Sequence, residues 1–203
     1  MSDNLSFSQA CENNKDYILE ILGRHLSAPA EILEIASGTG QHAVHFAKHL
    51  SHLTWQATEL AVYVESLNRR ILLAGLENLP PAFALDVNHY QWYCGTPSHV
   101  FTANSLHIMA ESSVNAFFTG VGKQLVPDGL LLVYGPFKYH NGFTSESNAS
   151  FDLWLKARDP VSGIRDFETV NDYAVKADLV FVEDNAMPAN NQLLVWRKRR
   201  SVP

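Results

Sequence analysis

Cysteine is scarce in this sequence, and so is charge. The 203 residues include two cysteines, Cys11 and Cys94, whose spacing matches no metal-binding or redox motif, so we expect reduced thiols and a cytoplasmic protein. Charged side chains make up 18% of the residues, and 15 basic against 21 acidic ones give a formal net charge of −6. A negative surface repels phosphate backbones, which argues against general nucleic-acid binding.

Long apolar runs are also missing. The longest, Leu130 to Tyr134, is far shorter than the roughly 20 residues that cross a bilayer, and the polar opening stretch from Met1 to Glu20 has no secretory signal core. We therefore expect no membrane partner. Because 46% of the residues are hydrophobic, the chain can build one core, and we predict a single domain over residues 1–203.

Helical periodicity alternates with short β-rich runs, which predicts a parallel sheet covered by helices. Helices are predicted in the N-terminal segment 1–28, with its apolar stripe at 17–26, and at 41–50, 60–74, 114–125, 151–157 and 167–177. Strands are predicted at 31–36, 54–58, 82–85, 98–104, 130–134, 179–184 and 192–197. The linker 185–191 is too short for a crossover helix, so the last two strands must pair antiparallel.

The segment 135–150 is predicted to be a loop, rich in Gly, Ser, Asn and aromatic residues. It is longer than a connection between a strand and a helix needs. Excess loop length in a compact domain indicates a functional role. We therefore expect the region 135–166, this loop with the helix after it, to cover the substrate side of the site.

The sharpest motif is EILEIASGTGQH, from Glu31 to His42, in which an apolar strand passes through two glycines into a helix. Gly38 and Gly40 allow a tight turn and a close approach of the backbone to a ligand, and the helix N-terminus offers unpaired N–H groups. At the carboxyl end of the first strand, such a turn is the nucleotide position of an open α/β sheet.

Two cofactors compete for this turn. The segment 38–43 also fits the dinucleotide pattern, with Glu59 placed 21 residues beyond Gly38, so an NAD-dependent oxidoreductase is an alternative. S-adenosyl-L-methionine is favoured because Glu34, inside the strand, can accept hydrogen bonds from the ammonium of that molecule or from loop amides. The terminal antiparallel strand pair is similar to that of Rossmann-like methyltransferases, and 203 residues leave no room for a separate substrate domain.

Several further motifs accompany the run 34–42, namely those at 10–15, 134–138, 144–148, 157–160, 163–166 and 187–191. Together they resemble the uncharacterised methyltransferase-like family of bacteria and animals, over nearly the whole chain. The resemblance implies a Rossmann-like, three-layer α/β class I fold with S-adenosyl-L-methionine as methyl donor. It also implies a seven-stranded sheet of order 3-2-1-4-5-7-6 with the last strand antiparallel. One departure is Asp178, in a helix-to-strand turn that would suit glycine better.

Residues expected to bind the donor follow the first four strands. Glu59 can take both ribose hydroxyls in a bidentate grip. By resemblance, Asp86 accepts from the adenine amino group while the amide of Val87 donates to a ring nitrogen; alternatively, Asp86 caps a turn over 87–90. Asn104 is expected beside the sulfonium. The other predicted donor-binding residues are Glu34, Ala36, Ser37, Gly38, Thr39, Gly40, His42, Leu60 and Leu106.

Residues expected to serve the methyl acceptor stand on loops at the same sheet edge. His107 and Glu146 are the candidate general bases, which the reaction needs only if the acceptor must lose a proton. Alignment carries most of the effect in an in-line displacement. The residues expected to position the acceptor are Tyr134, Lys138, Arg165, Asn190 and Asn191. No metal site is expected, because His45 and His49 lack a third ligand.

These residues predict an S-adenosylmethionine-dependent methyltransferase. Its acceptor is a small molecule or a protein group that the sequence does not identify. The alternatives are an NAD-dependent oxidoreductase and a catalytically silent module that binds the donor as a structural ligand. The oligomeric state stays open, because apolar helix faces look alike whether they meet a sheet or another subunit.

Overall fold

The computed structural model of the chain describes residues 5–92 and 95–200. Within them, the helices are α1 (Gln9–His25), α2 (Gln41–His49), α3 (Ala61–Ala74), α4 (Glu111–Gln124), α5 (Glu146–Arg158) and α6 (Phe167–Lys176). The strands are β1 (Ala30–Glu34), β2 (Leu53–Glu59), β3 (Phe83–Ala84), β4 (His99–Ala103), β5 (Leu130–Gly135), β6 (Phe137–Tyr139), β7 (Gly142–Phe143), β8 (Arg165–Asp166), β9 (Leu179–Met187) and β10 (Asn191–Lys198).

Seven of these strands form the central sheet, in the order β3-β2-β1-β4-β5-β10-β9. The first five run parallel to one another, whereas β10 is antiparallel to both β5 and β9. Counted along the chain, β9 and β10 are the sixth and seventh strands of this sheet. The predicted order 3-2-1-4-5-7-6 and the three-layer α/β architecture are therefore confirmed.

The run Leu130–Gly135 shows why the central strands are continuously apolar. Every residue of β5 is buried, because helices cover both faces of the sheet. Leu130 and Leu132 belong to the core on one face, which α1, α2 and α3 complete. Leu131 and Val133 belong to the core on the other face, against α4 and α6. The parallel strands thus end together at one edge, where the loops after β1 to β4 meet.

Three helices begin earlier than their apolar periodicity predicted: α4 starts at Glu111 and not at residue 114, and α1 and α5 start earlier behind serine caps. Ser8 caps α1, since its Oγ accepts a hydrogen bond from the N–H of Cys11. Ser145 caps α5 in the same way by accepting from the N–H of Asn148, so this helix starts at Glu146 and not at residue 151. The first turns of both helices are polar, which is why a search for apolar stripes passed over them.

The predicted loop 135–150 is largely ordered structure. It contains β6 and β7, which pair antiparallel, and β8 completes a small three-stranded sheet with them. The terminal hairpin is also longer than expected, with a single short turn at Pro188–Asn190 between its strands. Asp178 has a φ of 60° in the turn before β9, the left-handed conformation that favours the glycine expected there.

Candidate active site

A cavity of about 1200 Å³ opens at the carboxyl edge of the parallel strands. Ligand sites usually measure ~300–1,000 Å³, so this one can hold a large molecule. The predicted site residues that line it are Ala36, Ser37, Gly38, Thr39, His42, Glu59, Leu60, Asp86, Val87, Asn104, His107, Tyr134 and Asn191. Donor and acceptor candidates from both halves of the chain therefore share one cavity.

The turn after β1 is built from left-handed residues. Ala36, Gly38 and Gly40 have φ values of 59°, 55° and 76°. A Cβ on Gly38 would have no described atom within 4 Å, because that position faces open space. A Cβ on Gly40 would lie 2.5 Å from Cδ1 of Leu67 on α3. Gly38 thus keeps the cavity open, whereas Gly40 allows α2 and α3 to pack closely.

Glu59 ties the end of β2 to this turn. Its Oε2 accepts from the N–H of Gly38 at 2.8 Å, and its Oε1 accepts from the N–H of Leu60 at 2.7 Å. Leu60 is the N-cap residue of α3 and has no side-chain cap, so the carboxylate satisfies a donor that would otherwise be orphaned. A carboxylate has about four acceptor positions, and Glu59 therefore retains capacity for ligand hydroxyls.

Asp86 follows β3 and lines the cavity beside Val87. Its Oδ1 accepts from both the backbone N–H and the side-chain amide of Asn88, each at 2.9 Å. The alternative role as a turn cap is therefore present in the structure. Oδ2 takes no part in these bonds, so capping and an adenine contact are compatible.

Glu34 lies below the turn and not in the cavity lining. It is 1% exposed, and its Oε2 accepts from Nε1 of Trp55 at 2.8 Å. Burial raises the pKa of the Glu34 carboxyl to about 7, against the lowering effects of the hydrogen bonds from Trp55 and Ser37. The contact expected between Glu34 and the donor ammonium has no place in this geometry, because β1 turns this side chain into the core beside β2.

The N-terminal helix closes one side of the cavity, with Cys11, Asn13 and Asn14 in the lining. His42 at the start of α2 is buried, and its Nε2 lies 2.7 Å from Oδ1 of Asn14. Burial lowers the pKa of His42 to about 4. Sequence reasoning did not assign α1 to the site, although the family motif at 10–15 was a signal for it.

A second bond network links α1 to α2. The side-chain amide of Gln41 donates to Oε1 of Glu12 at 2.6 Å and to the carbonyl of Ser8 at 3.3 Å, while its own oxygen accepts from the N–H of Ser8 at 2.6 Å. Nε of Arg70 on α3 donates to the carbonyl of Thr39. The turn after β1 is therefore held from α1 and α3 as well as from β2.

The loop after β4 begins at Asn104, a non-glycine residue with a φ of 56°. Its N–H donates to the carbonyl of Tyr134 at 2.8 Å, which joins it to β5. His107 follows on this loop and is 6% exposed within the cavity lining. Burial, and secondarily the nearby guanidinium of Arg165, lower the pKa of His107 to about 4, so its imidazole is neutral at pH 7.

The opposite wall comes from α5 and the terminal hairpin. Asn148 is buried, and its amide donates to Oγ1 of Thr144 and to the carbonyl of Asn190, both at 2.9 Å. Phe151, one turn further along α5, packs edge-on against the ring of His107, with 5.4 Å between ring centroids. Neither Asn148 nor Phe151 was among the predicted site residues. Asn148 lies before the predicted helix start at residue 151, whereas Phe151 was placed in that helix without a role in the site.

Several predicted site residues lie outside the cavity lining: Glu34, Gly40, Leu106, Lys138, Glu146, Arg165 and Asn190. Glu146 is exposed at the first turn of α5, and Lys138 stands over the ring of Phe143. Asn190 offers its backbone carbonyl to Asn148, and its amide points to Ser147. The ring of Phe143 and the contacts with α5 thus occupy Lys138 and Asn190 outside the cavity.

No group of three or more metal-ligating side chains occurs in residues 5–92 and 95–200. Within the same residues, no helix combines the length and apolar character that a bilayer crossing requires. Cys11 is a free thiol, whereas Cys94 lies outside the described residues.

The sequence profile of a family described as "Protein of unknown function (DUF938)" matches residues 5–198. The chain belongs to the DUF938 family. The match covers the strand-turn-helix after β1, the N-terminal helix and the terminal hairpin, so every wall of the cavity lies within the DUF938 region. The resemblance drawn from the sequence motifs is confirmed at the level of the family.

Solved methyltransferases share the fold of this DUF938 member at low identity. An O-methyltransferase family 2 protein from Planctomyces limnophilus DSM 3776, in complex with apigenin, has a TM-score of 0.80 and 15% identity over 93% of this chain and 58% of its own. The S-adenosylmethionine-dependent methyltransferase SibL in its apo form has a TM-score of 0.79 and 18% identity, over 94% of this chain and 56% of its own. PigF with SAH has a TM-score of 0.73 and 15% identity, over 92% of this chain and 66% of its own.

The chain spans less than three fifths of the first two of these proteins. At such identities the likeness establishes the fold alone. Chemistry must therefore be argued from the residues of the cavity.

Proposed function

We propose that this chain is an S-adenosylmethionine-dependent methyltransferase. The observation that carries the proposal is the bond between Glu59 and the N–H of Gly38, which sets a carboxylate against an open, left-handed glycine turn at the end of β1. On one cavity wall, the Glu59 carboxylate can accept hydrogen bonds from ligand hydroxyls, and the backbone of Gly38 lies open to the same ligand. The fold shared with solved methyltransferases, one of them with SAH bound, supports the same assignment.

The residues present fit such a donor. Glu59 keeps free acceptor positions for ribose hydroxyls, and Asp86 with Val87 lies at the next strand end for the adenine. Gly38 leaves space for a ligand to come close to the backbone of the turn, since a Cβ there would meet no described atom within 4 Å. His42 and Asn104 also line the cavity.

The acceptor side is lined by neutral groups from α1, the loop after β4, α5 and the hairpin. Asn14, Tyr134, Asn148 and Asn191 supply amides and a hydroxyl, while Phe151 supplies an aromatic surface. Such groups orient a small molecule or a projecting protein group by hydrogen bonds and apolar contact. Alignment of the acceptor is the main service a protein gives to an in-line displacement.

The bound donor would supply an activated methyl group on a positively charged sulfur. We assign proton acceptance to His107, which lines the cavity and whose neutral imidazole carries an unshared electron pair at pH 7. Glu146, the other candidate base, is exposed outside the cavity. A cytoplasmic location and a single-domain organisation stay predictions from the sequence.

Binding is tested first, by isothermal titration of the purified protein with S-adenosylhomocysteine and, separately, with NAD, beside mass spectrometry of copurified small molecules. We expect micromolar binding of S-adenosylhomocysteine and none of NAD. The Gly38→Val variant, which fills the open space of the turn, should lose that binding. Tighter binding of NAD by the parent protein would refute the assignment.

Transfer is tested next, with methyl-tritiated S-adenosylmethionine and fractionated cell extract. Incorporation of label that requires the parent protein and is absent with Gly38→Val identifies an active fraction. Donor binding without transfer to any fraction would favour the catalytically silent module instead.

A further inference from the structure

The loop between β4 and α4, residues 105–110, forms one tight turn. The N–H groups of Ile108 and Met109 both bond to the carbonyl of Ser105, at 3.0 and 3.2 Å. His107, Ile108 and Met109 all line the cavity. The position of this loop therefore fixes one wall of the acceptor side.

Four consecutive carbonyl groups of this loop are held by one short segment, residues 162–165, which we name the carbonyl clamp. The bonds, donor first, are Arg165 Nε to Leu106 O (3.1 Å), Gly163 N–H to His107 O (2.9 Å), Ser162 Oγ to Ile108 O (2.9 Å) and Arg165 Nη2 to Met109 O. Arg165 spans both ends of the loop because its planar guanidinium presents several N–H groups in fixed directions.

The clamp is anchored in turn to α5. The N–H of Ile164 donates to Oδ1 of Asp152 at 2.7 Å, and Oδ2 of the same buried carboxylate accepts from Lys156 at 2.6 Å. A Cβ on Gly163 would lie 3.0 Å from Oδ1 of Asp152, so the approach leaves little room for a side chain. The loop after β4, the clamp and α5 are thus joined into one unit.

His107 is the side chain that this unit presents to the cavity. It is 6% exposed, and its ring makes no hydrogen bond to a residue in 5–92 or 95–200. Phe151 of α5 contacts the His107 ring edge-on, and the clamp holds the backbone carbonyl of His107. An imidazole that lines the cavity in a fixed position, with ring nitrogens that bond to no residue of 5–92 or 95–200, is available to a ligand.

We propose that the carbonyl clamp is a positioning element that aims the His107 imidazole at the methyl acceptor, and that Arg165 acts through the loop without touching the acceptor. This inference rests on the proposed methyltransferase function. It assigns a different role to Arg165 from the acceptor contact expected from the sequence, since its guanidinium is engaged by the carbonyls of Leu106, Met109 and Val161.

The chemistry of His107 names the acceptor class. A neutral imidazole offers one N–H donor and one lone pair, which complement an uncharged X–H group such as a hydroxyl or thiol. In the transfer step, His107 takes the X–H proton while the lone pair of X forms the new bond to the methyl carbon. The sulfur leaves with the electron pair of the broken carbon–sulfur bond.

The test uses three clamp variants and one matched control in the full-length chain. Arg165→Met removes two of the four bonds, Arg165→Lys keeps the charge but loses the fork, and Ser162→Ala removes one bond. Arg158→Met is the control, because Arg158 stands exposed over the ring of Trp154 and lies away from the loop.

Hydrogen–deuterium exchange of peptides over 105–113 reports the opening of the loop that the clamp restrains, because the N–H groups of Ile108 and Met109 are protected only while the loop keeps its turn. It needs no ligand. We expect at least tenfold faster exchange in Arg165→Met and Arg165→Lys, a smaller rise in Ser162→Ala, and parent-like exchange in Arg158→Met. Exchange in Ser162→Ala keeps the test valid if the Arg165 variants fail to fold. Parent-like exchange in all the folded clamp variants would overturn the inference.

Two further measurements separate this inference from the proposed function. S-adenosylhomocysteine affinity should stay within threefold of the parent in every variant, whereas transfer to the active extract fraction should fall tenfold or more in kcat for the clamp variants, with the donor KM unchanged. Loss of donor affinity in the clamp variants would assign the segment to the donor site and refute the positioning role. Failure of the parent itself to bind S-adenosylhomocysteine would refute the methyltransferase function and leave the exchange result standing for the clamp.

Discussion

The half of the cavity that we propose for the methyl donor, called the donor half, and the half that we propose for the acceptor, called the acceptor half, are built by different means. The donor half consists mainly of backbone: left-handed residues after β1, and N–H groups that Glu59 holds in place. The acceptor half consists of side chains from α1, α5 and the hairpin, together with a loop held through its carbonyls by residues 162–165. A backbone-built region is sensitive to a single Cβ, whereas a region assembled from distant segments is sensitive to the contacts that join them.

The largest effect that this difference predicts is on Gly40. Gly40→Ala combines the cost of a left-handed alanine, roughly 1–2 kcal/mol, with overpacking against Leu67, roughly 1–3 kcal/mol. We expect its free energy of unfolding in urea to fall by about 2–5 kcal/mol. Gly38→Ala is the matched control, which carries only the backbone cost because its Cβ faces open space. Equal losses in the two variants would contradict the packing role of Gly40.

Glu34, below the turn after β1, makes the stability of the protein depend on pH. Its pKa is raised to about 7 in the folded protein, above that of an ordinary glutamate, so folding favours its protonated form. The contribution of Glu34 to the free energy of unfolding is therefore fully present below the pKa of the unfolded state. It is lost as the pH rises through the pKa of the folded state, and the loss is about 3 kcal/mol for this shift. We expect Glu34→Gln to be more stable than the parent at pH 8 and close to it at pH 4.5.

Urea unfolding at the two pH values measures this difference. Trp55 retains an acceptor in Glu34→Gln, because the glutamine oxygen can take its N–H. If the difference in free energy of unfolding between the parent and Glu34→Gln is the same at pH 4.5 and at pH 8, Glu34 is not the titrating group.

Glu59 is the side chain on which the donor half depends. Glu59→Ala should weaken S-adenosylhomocysteine binding by about 1.5–3 kcal/mol, the range for hydrogen bonds to a charged group. Isothermal titration measures the loss, and Glu65→Ala, which removes an exposed acid from α3, controls for charge. Unchanged affinity in Glu59→Ala would mean that the donor lies elsewhere in the cavity.

Asn148 provides the corresponding test of the acceptor half. Asn148→Ala removes the bonds to Thr144 and to the carbonyl of Asn190, and we expect a stability loss of about 1–2 kcal/mol. Donor affinity should stay within threefold, under roughly 0.7 kcal/mol, because α5 faces the acceptor side. Leu153→Ala, at an exposed position of the same helix, is the control. A loss of donor affinity in Asn148→Ala, together with the loss of stability, would contradict the division of the cavity into two halves.

The smallest expected effect is a gain at Ala36. Its φ of 59° strains an alanine by about 1–2 kcal/mol, and the greater flexibility of unfolded glycine offsets part of that. Ala36→Gly should therefore stabilise the protein by roughly 0.5–1 kcal/mol in urea unfolding. A loss of stability would show that the Cβ of Ala36 makes a contact worth more than the strain.

Sequence reasoning succeeded where one segment carries its own signal. The glycine turn at 37–40 and the acid at the end of β2 were located because apolar strands and glycines are visible in a single stretch. Ala36 was predicted as the end of the first strand, whereas β1 ends at Glu34 and Ala36 is left-handed. It failed for Asn14 and Asn148, since polar first turns hide the starts of α1 and α5. It also failed for Phe151, which was placed in a helix without a role in the site. Arg165 was expected in the cavity because a charged residue on a loop looks the same whether it binds a ligand or a backbone.

The sequence by itself determined the alternation of strands and helices, the antiparallel hairpin and the glycine turn after β1, because each follows from periodicity, linker length or glycine stereochemistry over a few neighbouring residues. The tertiary structure alone decided that α1 closes the cavity, that Glu34 lies below the turn, and that residues 162–165 hold the loop after β4. These outcomes depend on which buried donors and acceptors find partners across the fold, and such pairings arise between segments that the linear order separates.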